Sequence, residues 1–202
     1  MIAIIDYEIG NINAVANMLR RLNAQCVITN QSEEVLRADR IILPGNGSFD
    51  ACMRGLRATG LIPILEQKVH DEGTPLLGIC VGAQMLGTAS EEGVESGLGW
   101  LDMRVRRLPA SPGVRVPHMG WNEVSSASDH YLVRDLKRDA RFYFVHSYYM
   151  EPADPADALL HAKYGIGFAA GVVRKNIMGV QFHPEKSHRF GKQLLSAFVK
   201  GE

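Results

Sequence analysis

Apolar positions fall in short blocks through the first half of the chain. Ile2–Ile5, Gln25–Thr29, Arg40–Leu43 and Leu76–Ile79 read as strands apolar enough to be buried on both faces. Between them the period lengthens. Ile12, Val15, Ala16, Met18, Leu19 and Leu22 share one helical face, behind an Asn11 placed to cap it. Ser32–Ala38, Phe49–Leu56, Leu61–Glu72 (with Pro63 in its first turn) and Val81 to Ala89 continue the alternation as helices. Strands alternating with helices predict an α/β fold with an open, mostly parallel central sheet flanked by helices, flavodoxin-like in type. After Gly99-Trp100 the texture changes. Val114–Val116, Glu123–Ser125, Phe142–Ser147, Leu159–Tyr164, Ala169–Arg174 and Ile177–Phe182 read as strands separated by turn residues, so the second half is hairpin-rich and partly antiparallel. An amphipathic helix, Arg189–Val199, closes the chain, and Pro152–Asp157 reads as an exposed loop. Residues 1–202 read as a single domain.

Charge narrows the partners. Basic and acidic residues number 22 each, so no net field draws the chain to nucleic acid or an anionic membrane. The apolar start meets Asp6 at once and lacks a basic flank, which is not a signal peptide. No apolar run approaches the ~18 residues of a membrane span. Cys26, Cys52 and Cys80 are too irregularly spaced for a disulfide framework or a zinc site. A cytoplasmic protein without metal or cofactor is expected.

Two segments carry chemistry. Gly78-Ile79-Cys80-Val81-Gly82 has the spacing of a nucleophile elbow, with cysteine in place of serine. The turn would put Cys80 at a helix N-terminus, where backbone N–H groups favour negative charge on sulfur. Val180-Gln181-Phe182-His183-Pro184-Glu185 reads as a strand delivering a histidine to the carboxyl edge of the sheet, where ligands bind in such folds. Glu185 is close enough in sequence to orient the imidazole. Cys80, His183 and Glu185 together make a nucleophile, a base and an orienting carboxylate. Attack on a carbonyl also needs oxyanion donors, and the loop Gly45-Asn46-Gly47 follows a strand at the same edge.

These residues resemble the class I, triad-type glutamine amidotransferases, and the likeness runs the length of the chain. It includes Asp6-Tyr7 with Gly10-Asn11, Leu43-Pro44-Gly45 with Gly47-Ser48-Phe49, Pro117-His118-Met119-Gly120-Trp121-Asn122, Tyr143–Tyr148 and Gly179–Ser187. Within that family the motifs look most like the glutaminase subunits of imidazole glycerol phosphate synthase. The resemblance implies L-glutamine as substrate, with Gln84, Glu92, Ser147 and Tyr148 helping to hold it. It further implies a heterodimer with a (β/α)8 cyclase subunit that receives the ammonia for histidine biosynthesis. Asn11, Met119, Trp121 and Lys186 would face that partner.

Three positions depart from the family pattern: Glu8 where glycine is common, Asn46 where valine is common, and Ala83 where methionine is common. A second branch of the same subunit, encoded with surface-polysaccharide genes, is thought to supply ammonia to a sugar amidotransferase. Gly78–Gly82, Gly97–Trp100, Arg141–Phe144 and Lys186-Ser187-His188 look somewhat like that branch. A non-catalytic binding module would have no reason to keep the Cys-His-Glu set. A peptidase could use the elbow but would leave His-Pro-Glu and Pro117–Asn122 unexplained. His118, His146 and His183 lack metal-ligand spacing. Gly165–Ala170 precedes a strand rather than a helix, so it reads as a hairpin turn and not a dinucleotide loop.

Overall fold

A computed structural model describes residues 1–201. The apolar blocks of the first half form β1 (Ile2–Ile5), β2 (Cys26–Thr29), β3 (Arg40–Leu43) and β4 (Leu76–Ile79). Between and after them come α1 (Ile12–Arg21), α2 (Ser32–Leu36), α3 (Phe49–Ala58), α4 (Ile62–Glu66) and α5 (Val81–Gln84). A π turn at Gln67–Asp71 extends α4. The second half contributes β5 (Ala89–Ser90), β6 (Met103–Arg107), β7 (His118–Glu123), β8 (Ser125–Ser126), β9 (Arg141–His146) and β10 (Tyr148–Pro152). Then follow β11 (Ala158–Tyr164), β12 (Ile166–Arg174), β13 (Ile177–Val180) and α6 (His188–Lys200).

Strand order in the large sheet is β2-β1-β3-β4-β13-β12-β10-β6-β5. The first five run parallel, and β12, β10 and β6 alternate direction beyond β13. β11 pairs with β12 and with β8. A separate antiparallel pair, β7 with β9, sets His118 opposite His146 and Trp121 opposite Tyr143. The expected α/β architecture is therefore found, with its parallel half first and its hairpins second. β1, β4 and β13 are buried along their whole length, as strands covered on both faces must be. Among the described residues no helix is long and apolar enough to cross a membrane.

Several elements differ from expectation, each for a local reason. The helix after Cys80 ends at Gln84 rather than continuing to Ala89. A side chain on Gly87 would stand 2.6 Å from the Met103 carbonyl, because the chain there turns to pair β5 with β6. Val114–Val116 forms no strand; only a single bridge joins Ser111 to Val114, beside Gly113 at φ +82°. Strand structure instead occupies β7, ahead of the expected Glu123–Ser125. β6 and β10 are strands that the pattern does not announce. Pro152–Asp157 is only partly a loop: Pro152 ends β10, and Asp157 closes a 3-10 turn, buried against Arg174. The hairpin at Gly165 is present, with Tyr164 paired to Ile166 across it.

Candidate active site

β4 and β13 lie side by side, with Ile79 opposite Val180. The residues that follow each strand therefore leave the sheet at the same edge. Cys80 is the first of them on one side, and Gln181, Phe182 and His183 follow on the other. The Cys80 amide donates to the Val180 carbonyl at 2.8 Å, and the His183 amide donates to the Tyr143 carbonyl at 2.9 Å. The elbow is real in the backbone: Cys80 sits at φ +55°, a region that side chains occupy only under strain, at the cap of α5.

The glycines around it make room for main chain, not for substrate. A Cβ on Gly82 would run into the Leu43 carbonyl, and one on Gly45 would lie 2.8 Å from the Val81 carbonyl carbon. On Gly78 it would stand 2.6 Å from the Ala83 Cα. The elbow and the loop after β3 are thus in direct backbone contact. Tyr7 holds that loop from below, its hydroxyl donating to the Pro44 carbonyl. Cys52 is fully buried, and burial pushes its thiol up to about 11, so it stays protonated.

His183 and Glu185 are both buried, with 2% and 1% of their side chains exposed, and His183 Nδ1 meets Glu185 Oε1 at 2.8 Å. Burial by itself pushes the imidazole down. Interaction with Cys80 and the hydrogen bond to Glu185 outweigh it and hold His183 up at about 9. His183 Nε2 has no hydrogen-bond partner of standard geometry among the described residues, the Cys80 thiol included. Ser187 locks the histidine's backbone: its hydroxyl donates to the His183 carbonyl at 2.6 Å and accepts from the Tyr143 amide at 3.0 Å.

A cavity of about 240 Å³ opens over Cys80. Asn46, Gly47, Gln84, Glu92, Ser147 and Tyr148 line it. Its size suits one amino-acid-sized molecule rather than the larger ligands of typical pockets. Gln84 Nε2 donates to the Tyr148 carbonyl and to Gln181 Oε1, both at 3.1 Å. Glu92 Oε2 accepts from the Phe49 amide at 2.8 Å, a carboxylate on the N-terminus of α3. Asp50 fixes the loop that carries Glu92, accepting from the amides of Val94 and Glu95 at 3.1 and 3.0 Å. A larger groove, about 500 Å³, lies between α6 and residues 131–136 but shares no residue with this cavity.

Met119 and Trp121 are exposed on the outer face of β7, 61% and 46% respectively. Trp121 stacks on His188 at 5.4 Å, and Lys186 lies over the Tyr143 ring at 6.0 Å. Asn11 is exposed at the start of α1 and makes no side-chain cap; α1 packs against the 184–186 turn that carries Lys186. His118 and His146 bond each other while His183 bonds Glu185, and no group of three or more His, Cys, Asp or Glu suited to a metal occurs among the described residues. Sequence pattern assigns no role to Gln181, Ser187, Asp50 or the His118–His146 pair. Their signal is spatial: each bonds a residue that is distant in the chain.

The family model for class-I glutamine amidotransferases matches residues 3–201. The chain belongs to that family. As an amidotransferase it is 50% identical, over 99% of both chains, to a Pseudomonas aeruginosa protein named imidazole glycerol phosphate synthase subunit HisH 2. It is 47% identical, over 98% of both chains, to the subunit HisH of Bdellovibrio bacteriovorus. The amidotransferase fold is also shared with far more distant structures. The Thermotoga maritima PurLQS structure superposes with a TM-score of 0.72 at 18% identity, covering 99% of this chain and 97% of that one. The glutaminase domain of Trypanosoma brucei CTPS, solved with bound acivicin, gives 0.66 at 14% identity, covering 99% and 93%.

Proposed function

We propose that this amidotransferase hydrolyses L-glutamine to glutamate and ammonia at Cys80. The observation that carries the proposal is the buried His183–Glu185 pair beside the Cys80 elbow, with one imidazole nitrogen left without a partner among the described residues. The Cys80 sulfur attacks the side-chain carboxamide carbon, and the C=O electrons move to oxygen. Amides of the Gly45-Asn46-Gly47 loop stabilise that oxyanion. His183, protonated in the resting site, gives its proton to the departing nitrogen, and the C–N bond breaks to leave a thioester. It then takes a proton from water, which attacks the thioester and releases glutamate. Glu185 holds the imidazole in one orientation and balances its charge. Gln84, Glu92, Ser147 and Tyr148 hold the substrate.

The ammonia acceptor is a (β/α)8 cyclase subunit docked on Asn11, Met119, Trp121 and Lys186, forming a heterodimer that acts in histidine biosynthesis in the cytoplasm. The names of the relatives support this reading. A closed route is chemically useful, since ammonia released into neutral water is protonated and no longer nucleophilic. A second acceptor, a sugar amidotransferase, is favoured by residues on the rim of the site: Glu8 and Asn46 are exposed in loops, and His188 is exposed at the first position of α6. The test is glutamate release by the purified chain, alone and with the matching cyclase and its nucleotide ligand. Strong stimulation, abolished by Cys80→Ala, is expected. Labelling of Cys80 by a glutamine analogue without any stimulation would assign the ammonia to the second acceptor. Absence of both would overturn the glutaminase reading.

A further inference from the structure

The inner face of β7 carries polar groups where a packed strand ordinarily carries apolar ones. His118 is buried there directly opposite His146, and the two rings meet at 2.9 Å from His118 Nδ1 to His146 Nε2. His146 Nδ1 lies 2.7 Å from the Tyr148 carbonyl, which can only accept. That nitrogen therefore carries the proton. Burial pushes both imidazoles down, to about 4 for His118 and about 3 for His146, so both rings are neutral near pH 7. It follows that His146 Nε2 is an acceptor, that His118 Nδ1 donates to it, and that His118 Nε2 accepts. Its donor is in place: Asn122 Nδ2, at 3.3 Å, which also donates to the Lys163 carbonyl at 3.0 Å.

Every member has one possible direction. The chain continues beyond Tyr148, whose carbonyl also accepts from Gln84; Gln84 donates in turn to Gln181, and Gln181 Nε2 points to the Cys80 sulfur at 3.9 Å. His118 is held flat between Tyr164 and Phe144, with ring centroids at 3.9 and 4.8 Å, so the geometry is not free to wander.

We propose that His118 and His146 are positioning residues: a hydrogen-bonded relay that sets the Tyr148 carbonyl and Gln84, and so the wall of the glutamine cavity, from strand β7. This rests on the glutaminase reading above. The relay touches no reacting atom: His146 lines the cavity beside Tyr148, and His118, which does not line it, acts through His146. Its outer-face neighbours on the same strand are Met119 and Trp121.

The experiment compares two reagents on the full chain. One is a glutamine-mimicking haloketone that must occupy the cavity to alkylate Cys80; the other is iodoacetamide, which needs only an accessible sulfur. His146→Phe keeps a ring but removes both hydrogen bonds. His146→Asn restores a donor at the Nδ1 position. The expected result is haloketone labelling slowed by about tenfold in His146→Phe, the scale of one buried hydrogen bond. Iodoacetamide should stay within about twofold of wild type, with haloketone labelling largely recovered in His146→Asn. Wild-type labelling in His146→Phe, equal loss to both reagents, or no recovery in His146→Asn would each overturn the relay. His118 does not line the cavity, so His118→Phe must show the same selective loss and His118→Asn the same recovery; an effect confined to His146→Phe would be direct contact with the reagent and would overturn the relay. A wild-type chain that reacts with iodoacetamide but not with the haloketone would overturn the glutaminase reading itself, and this inference with it.

Discussion

His183 shows how far a single residue's surroundings decide its chemistry. Burial would leave it neutral, yet Cys80 and Glu185 keep it protonated up to about pH 9. Glutamine turnover should therefore fall as pH rises through about 9, where His183 loses the proton that the leaving nitrogen needs. A kcat/KM profile checks this, and a rate still flat at pH 10 would remove His183 as the acid. Glu8 is the converse case, a residue at odds with its backbone. It stands at φ +66°, the left-handed region where glycine is at ease, and its amide is held by Asp6 Oδ1 at 3.0 Å. Replacing it by glycine should stabilise the fold by about 1 kcal/mol, less whatever glycine adds to unfolded-chain freedom. Urea denaturation measures the change, and a lower midpoint would count against strain at this position.

Elements that satisfy one simple rule were legible, and those bent toward the site were not. β1, β3 and β4 are apolar runs cut off by polar or turn residues, so length and burial alone find them. β7 inverts the rule: Met119 and Trp121 point outward and His118 points inward, so its apolar period marks the wrong face. β6 hides for another reason, since its two buried residues, Met103 and Val105, share a strand of only five residues with three arginines. The Cys80 elbow and the His183-Pro184-Glu185 turn could be read because each is local in sequence. The loop over α3 could not, because Asp50 and the amides of Val94 and Glu95 are more than forty residues apart. That loop yields a prediction at this scale. Asp50→Ala should free residues 90–96 and let Glu92 drift from the cavity, raising KM for glutamine by about tenfold with a smaller effect on kcat. Steady-state kinetics decide it; an unchanged KM would mean that Glu92 stays put without Asp50.

For the whole molecule, the buried histidines set opposing responses to pH. His183 is raised in the folded state, so its contribution is complete below the unfolded value of about 6.5 and is lost as pH climbs through about 9. His118 and His146 are depressed to about 4 and about 3, so the unfolded chain takes up protons that the folded one refuses, and stability falls as pH drops below about 6.5. The urea midpoint should peak near pH 6.5 and decline on both sides; a midpoint still rising from pH 7 to 9 would contradict the assignment. A different consequence follows from the backbone contact between the Gly45 loop and the elbow. Side-chain contacts can drift over generations, because a larger residue on one side is offset by a smaller one on the other. Main chain against main chain has no such second partner to adjust. The centre of this site is therefore closed to gradual remodelling, and only side chains that stand clear of that seam, such as Glu8 and His188, are free to change one at a time.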